Sequence, residues 1–236
     1  MLIFKKIDGN QQRMKKIISF CLWGNNPKYC IGAIKNSQLT NKIYPDWVSR
    51  FYIHSKVDKT VIEQIQNNNS EIIIINDEPE AWSNMFWRFK PTEDPEVDIF
   101  ICRDTDSRLN EREKKAVEQW LISDKSVHIM RDHPYHGFSM LGGMIGFKKE
   151  AFQILQEALK KFKAQNEYGT DYIFFNNVLY PKIQNLAIVN DEFFEKKPFP
   201  TARHNYEFVG QVYDENDITV KEHEDSLQKY LRNEIF

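Results

Sequence analysis

Asp104 and Asp106 stand one residue apart at the end of an apolar run, Phe100-Ile101-Cys102-Arg103-Asp104-Thr105-Asp106-Ser107-Arg108. In extended backbone, residues i and i+2 point to the same side, so the two carboxylates are expected to converge on one ligand. Two such charges repel each other unless a cation lies between them. Hard divalent ions, Mg²⁺ or Mn²⁺, take these oxygens and keep positions open for water and phosphate. The competing account is a turn in which one Asp caps the following helix. Asn110 is better placed for that cap, with Glu113 three residues on to complete a capping box.

Other residues suit the same chemistry. Arg88, between Trp87 and Phe89, offers a guanidinium that can clamp a phosphate or a sugar hydroxyl; an Arg exposed on a helix is the plainer reading. Arg103 points away from the aspartates by strand alternation and reads as structural. Asp171, Phe174, Phe175, Val178 and Leu179 fall at helical spacing, so Asp171 shares an apolar face and is expected to point inward. A carboxylate there can take a proton from an attacking hydroxyl, with Glu167 in reserve; an acid in the first turn of a helix also suits the helix dipole. Gly142 and Gly143 let backbone approach a ligand closely. His133 and His136 bracket Pro134-Tyr135, and the proline disfavours a helical metal-binding pair.

The residues around the aspartates carry a resemblance. A mid-chain strand ending in Asp-x-Asp resembles the metal and nucleotide-sugar motif of GT-A glycosyltransferases. Together with Met85-Phe86-Trp87-Arg88-Phe89, Glu118-Gln119-Trp120-Leu121 and His128-Ile129-Met130-Arg131-Asp132-His133-Pro134, it is similar to a bacterial and viral branch of that family, over roughly residues 17–210. The resemblance implies a GT-A-like α/β/α sandwich. It also implies transfer of a sugar from a nucleotide-diphosphate donor to a glycan, lipid-linked or protein acceptor, with Mn²⁺ or Mg²⁺ on Asp104 and Asp106. Further implications are a third metal ligand at His204, in Thr201-Ala202-Arg203-His204-Asn205, and a donor and acceptor site along Gly142-Gly143. Arg88 and Asp104 would then contact the donor, and Asp171 would be the base of an inverting reaction. Two alternatives stand beside this one. A haloacid-dehalogenase-like phosphatase also uses Asp-x-Asp, but with a Gly and then Thr or Val behind it and near the chain start; here Ser107-Arg108 follows. The other is a nucleotide-sugar-binding protein without catalysis.

These side chains need a scaffold, and the hydrophobic pattern supplies one. Strands are expected at Ile17–Trp23, around Phe51–Ile53, at Ile72–Ile75 and at Val97–Cys102, with helices between them. That alternation predicts a mixed, mostly parallel sheet in a three-layer α/β/α sandwich. Pro27 opens the first helix, a helix over Ala81–Phe89 is expected to stop before Pro91, and a helix capped by Thr170 is expected to run to Tyr180, where Pro181 ends it. Short strands are expected over Val127–Met130 and Leu186–Val189, with Met140–Phe147 as another between them. Ligands of such sheets bind at the carboxyl ends of the strands. That makes Trp23 and Gly24, in the turn Trp23-Gly24-Asn25-Asn26, candidates for the nucleotide pocket.

Composition sets the bounds. The 236 residues suit one domain, with a core over about 17–210 and a charged tail over about 213–236. A formal net charge of −2 gives no global basic field for nucleic acid. No apolar run reaches the length of a transmembrane helix, and Met1–Arg13 lacks the apolar centre of a secretory signal. The three cysteines are an odd number in apolar surroundings, which suggests reduced thiols in the cytoplasm.

Overall fold

Short apolar runs in this chain become strands of one large sheet, and the amphipathic runs between them cover its two faces. The computed structural model of the protein describes residues 4–7, 10–76 and 78–232. The basic segment at the start forms a two-stranded hairpin of β1 (Phe4–Ile7) and β2 (Asn10–Arg13), separate from the main sheet among the described residues. The main sheet holds β3 (Lys15–Leu22), β4 (Val48–His54), β5 (Glu71–Ile75), β6 (Val97–Cys102), β7 (Val127–Arg131), β8 (Ile145–Lys148) and β9 (Ala187–Asp191). Its order is β5-β4-β3-β6-β8-β7-β9. Only β8 runs antiparallel to its neighbours β6 and β7; the other pairs are parallel. The expected mixed, mostly parallel sheet is therefore present.

Strand alternation divides the core in two. Ile18, Phe20 and Leu22 of β3 and Ile99 and Ile101 of β6 pack against α1 (Pro27–Ile43), α2 (Lys59–Gln66) and α3 (Glu111–Leu121). Ile17, Phe100 and Cys102 face the other way. There they meet Phe89 of a 3₁₀ segment (Trp82–Glu93), α4 (Phe152–Lys161) and the aromatic pair Phe174 and Phe175. This gives three layers, helices on both faces of one sheet. Each buried aromatic or aliphatic side chain stabilises the fold by ~1.5–3 kcal/mol relative to exposure.

Several boundaries differ from the sequence pattern, each for a local reason. Pro27 does open α1, behind Asn26, whose side chain accepts from the Lys28 N–H at 3.0 Å. The helix expected to stop before Pro91 runs on as the 3₁₀ segment through Pro91 to Glu93. Pro91 has no N–H to give the Arg88 carbonyl, and the Ser19 hydroxyl on β3 donates to that carbonyl instead, at 2.7 Å. Similarly, Pro181 does not end its helix. The chain winds as α5 (Thr170–Ile173), widens to a π-helical stretch over Phe174–Leu179, and continues through Pro181 in α6 (Tyr180–Ile183). The wider i→i+5 bonding takes in a residue without an N–H. Thr170 is not the cap either: Gly169, at φ +85°, precedes the helix, and the Thr170 hydroxyl accepts from the Gln165 N–H.

Two further expectations need correction. Met140–Phe147 is not one strand, since β8 begins only at Ile145 and Leu141–Met144 form a turn closed by a 3.0 Å hydrogen bond. Asn110 caps α3 as expected, at 2.9 Å to the Glu113 N–H, but the Glu113 carboxylate does not complete a box. It accepts from Arg103 and from the Tyr44 hydroxyl. The charged run near the C-terminus forms α7 (Lys221–Leu231), and residues 233–236 of that tail lie outside the described residues. Among the described residues no helix is long and apolar enough to cross a membrane, and all three cysteines are free and buried.

Candidate active site

The carboxyl ends of β3 and β6 open onto a cleft of about 640 Å³, and both aspartates line it. The route by which they arrive differs from the extended-strand expectation. β6 ends at Cys102, and Ser107 donates back to the Asp104 carbonyl in a turn, so alternation no longer applies beyond Arg103. Asp104 leans toward the 3₁₀ segment, where the Arg88 guanidinium meets it at 2.7 Å. Asp106 leans toward α1 and meets the Lys28 ammonium at 2.7 Å. Each carboxylate thus has its own cation, one from either helical layer.

Arg88 is held rigidly. Its side chain is buried, its Nε donates to the Met85 carbonyl at 2.9 Å, and its own carbonyl is anchored to Ser19 on β3. Burial works against the guanidinium charge, but Cys21, Asp104, Cys102 and Asp171 around it more than offset this, and its pKa is raised. Arg103, on the opposite face, forms an ion pair with Glu113 at 3.1 Å, both side chains almost fully buried. That is the structural role its position implied.

The glycine pair stands behind the cleft rather than lining it. A Cβ on Gly143 would overlap the Asp104 carboxylate, and one on Gly142 would lie 2.9 Å from Arg88 Nη1 and 3.3 Å from Asp171 Oδ2. Bare backbone at these two positions is what lets Arg88, Asp104 and Asp171 gather. Asp171 is buried to 9% exposure and lines the cleft. Its carboxyl is pushed above the usual range, first by burial and then by the charge of Asp104, while Arg88 pulls the other way.

Trp23 and Gly24, in the turn after β3, line the cleft. Gly24 sits at φ +68°, a conformation that side chains rarely take. The turn is fixed from below, because Asn25 accepts from the Asp58 N–H and donates to the Lys56 carbonyl beyond β4. His204 does not join the aspartates. It is exposed on a loop whose neighbour Arg203 is drawn to the buried Asp132, and it is not among the cleft residues. Among the described residues no cluster of three or more His, Cys, Asp or Glu is arranged for a metal.

The sequence pattern missed several residues of the cleft, among them Lys28, Tyr29, Trp82, Tyr168 and His223. Trp82 packs edge-on to both Trp23 and Tyr168, at centroid distances of 6.4 and 5.3 Å, which builds an aromatic rim at one side. One of these residues did leave a signal. Lys28 lies in the first turn of α1, where a cation opposes the helix dipole and no acidic residue offsets it. Trp82, Tyr168 and His223 arrive by long-range folding, and nothing local marks them.

The donor set fits a hard divalent ion. Asp106 is held above the usual carboxylate range by burial and by the charge of Asp104, more strongly than Lys28 lowers it. Two protein carboxylates would leave the remaining positions of such an ion to water and phosphate.

The fold and cleft define an α/β protein with an acidic, aromatic-rimmed pocket at the carboxyl ends of its strands. No family model matches the sequence, and no curated protein matches it. Among solved structures it is similar to a glycosyltransferase involved in the glycosylation of the major capsid of PBCV-1, at 14% identity over 77% of this chain and 84% of that one, with a TM-score of 0.43. It is also similar to glucosyl-3-phosphoglycerate synthase from Mycobacterium tuberculosis in complex with Mn²⁺, UDP-glucose and phosphoglyceric acid, at 13% identity over 75% and 69%, with a TM-score of 0.46. A third is 4-diphosphocytidyl-2C-methyl-D-erythritol synthase from Anaerococcus prevotii, at 10% identity over 93% and 96%, with a TM-score of 0.48. At identities of 10–14% and TM-scores below 0.5, these likenesses assign neither a family nor an activity to this chain.

Proposed function

We propose that the chain is a GT-A-type glycosyltransferase that moves a sugar from a nucleotide-diphosphate donor to an acceptor hydroxyl, working in the cytoplasm as a single domain. The observation that carries this reading is the meeting of Asp104 and Asp106 in one cleft at the carboxyl ends of β3 and β6. Asp104 and Asp106 would hold a divalent cation, Mn²⁺ or Mg²⁺, which when bound acts as a Lewis acid on the diphosphate leaving group.

The chain's own residues have separate tasks. Arg88 fixes the Asp104 carboxylate in place from beneath. The turn at Trp23 and Gly24 borders the space for the nucleotide, and the rim of Trp82 and Tyr168 borders one flank. Asp171, beside Arg88 and Gly142, receives the acceptor's proton as its oxygen attacks the anomeric carbon. The acceptor is a glycan, a lipid-linked sugar or a protein hydroxyl.

A screen of nucleotide sugars with Mn²⁺ tests the reading by its product. A glycosyltransferase releases nucleoside diphosphate, a phosphatase releases inorganic phosphate, and a binding protein releases neither. The paired substitution Asp104→Asn with Asp106→Asn is expected to abolish Mn²⁺-dependent binding of the nucleoside diphosphate while the fold is kept. Unchanged binding in a calorimeter would end the metal assignment.

A further inference from the structure

The ion pair between Lys28 and Asp106 joins two unequal partners. Asp106 is fixed: its carbonyl accepts from the Tyr213 N–H at 2.8 Å, and its side chain is 16% exposed. Lys28 is fixed only at its backbone, where its N–H donates to Asn26. Its side chain is 30% exposed and carries the ammonium on a flexible stem, 5.1 Å from the centre of the Tyr29 ring. The ammonium therefore has a second place to rest within the same cleft wall. A lysine in the first turn of a helix also works against the helix dipole, and α1 has no acidic residue there to offset it. A residue that breaks a local rule while facing a pocket is better explained by what enters the pocket.

We propose that Lys28 and a divalent cation compete for the Asp106 carboxylate, and that Lys28, once displaced, binds the diphosphate of the donor. The inference rests on the metal-dependent reading above and adds to it a residue that contacts the leaving group. An ammonium 2.7 Å from Oδ2 and a divalent cation on the same carboxylate repel each other and draw on one negative charge. A cation arriving with a diphosphate supplies both halves of the exchange: a new partner for Asp106 and a new anion for Lys28. Arg88 does not share this freedom, because its guanidinium is buried and bonded to Met85 and Asp104.

The exchange is tested on the full chain by calorimetry with two probes, Mn²⁺ alone and inorganic pyrophosphate added to protein saturated with Mn²⁺. For Mn²⁺ alone, Lys28→Met is expected to bind about 10-fold more tightly than wild type, and Asp106→Asn about 10-fold more weakly. For pyrophosphate titrated into protein saturated with Mn²⁺, Lys28→Met is expected to lose about 10-fold in affinity, while Lys28→Arg, which keeps the charge, stays within about 3-fold. Equal Mn²⁺ affinity in wild type and Lys28→Met, with Asp106→Asn still weakened, would overturn the competition and leave the metal site standing. Mn²⁺ binding that is absent, or indifferent to Asp106→Asn, would remove the metal assignment and the competition with it. Pyrophosphate affinity unchanged in Lys28→Met would overturn the second half of the proposal.

Discussion

Arg88 Nη1 donates to Asp104 Oδ1 at 2.7 Å, across 16 positions of sequence and from a segment held to the sheet by Ser19. One carboxylate of the cleft is thereby fixed by a guanidinium that is itself fixed. Lysine at position 88 keeps the charge but loses the fork that reaches Met85 and Asp104 together. Arg88→Lys is expected to keep its melting temperature within a few degrees and to bind nucleoside diphosphate with Mn²⁺ about 10-fold more weakly. Wild-type affinity in a titration of that variant would show that Asp104 needs no such support.

Gly143 and Gly142 are adjacent and answer to different neighbours. A methyl on Gly143 meets the Asp104 carboxylate, whereas one on Gly142 meets the tip of Arg88 and the ring of Phe175. Gly143→Ala should therefore displace Asp104 and cut Mn²⁺-dependent nucleotide binding by about 10-fold or more, with ~1–3 kcal/mol lost in urea unfolding from the overpacking. Gly142→Ala should affect binding less, because its methyl would sit 2.9 Å from Arg88 and 3.1 Å from Phe175, against the 2.0 Å overlap with Asp104 at Gly143. Equal effects of the two substitutions on Mn²⁺-dependent binding would contradict this assignment.

How much of this was legible in the sequence depended on range. Trp23, Gly24 and Asp104 could be placed because a strand end and a turn are local, and the cleft of such a sheet lies at strand ends. The inward face of Asp171 was legible from the apolar spacing of Phe174, Phe175 and Leu179, all buried here. Pro91 and Pro181 misled as stop signals, since 3₁₀ and π winding carry the chain past a missing N–H. His204 misled because its neighbour Arg203 is drawn to the buried Asp132, which lies outside the cleft. Trp82, Tyr168 and His223 meet in the cleft from three separate parts of the chain, and no spacing encodes that.

Acid should destabilise the fold through its buried histidines. His128 stacks on Trp120, and its Nε2 pairs with Asn190 at 2.8 Å, while its Nδ1 is buried with no partner among the described residues. Burial pulls its pKa down to about 3. His133 falls to about 4 for the same reason, and His136 lies well below its usual value. In the unfolded chain each titrates near 6.5, so between there and the folded value the unfolded state binds more protons. Stability is thus lost as pH falls through about 6.5, by up to ~1.4 kcal/mol per pH unit for each histidine. Asp106, Asp171 and Glu113, raised above the usual carboxylate range, act in the opposite direction. The comparison that isolates the effect is urea unfolding of wild type and His128→Gln from pH 7 to pH 5. The variant's curve should be flatter; parallel curves would show that His128 is not responsible.

Asp171 allows the sharpest test of the chemistry. Its carboxylate shares the space over Gly142 with Arg88, and its Oδ1 accepts from the Tyr172 N–H at 3.1 Å. If it is the base of an inverting transfer, Asp171→Asn keeps the shape and the hydrogen bond but removes proton acceptance. Then kcat should fall by roughly 10²–10⁴-fold, while Mn²⁺-dependent donor binding stays within about 3-fold of wild type. The pH profile gives an independent readout. Asp171 must be ionised to accept a proton, and burial holds its pKa above the usual carboxylate range. Activity should therefore fall on the acid side at a higher pH than an ordinary Asp, near 3.9, would produce. In Asp171→Asn that limb should vanish from the residual rate. An Asp171 that only stabilises the helix start gives a different result, because Asn is about as good at a helix N-terminus and transfer would continue near the wild-type kcat. That result would pass the role of base to Glu167, or point to a retaining reaction that needs no base at this position.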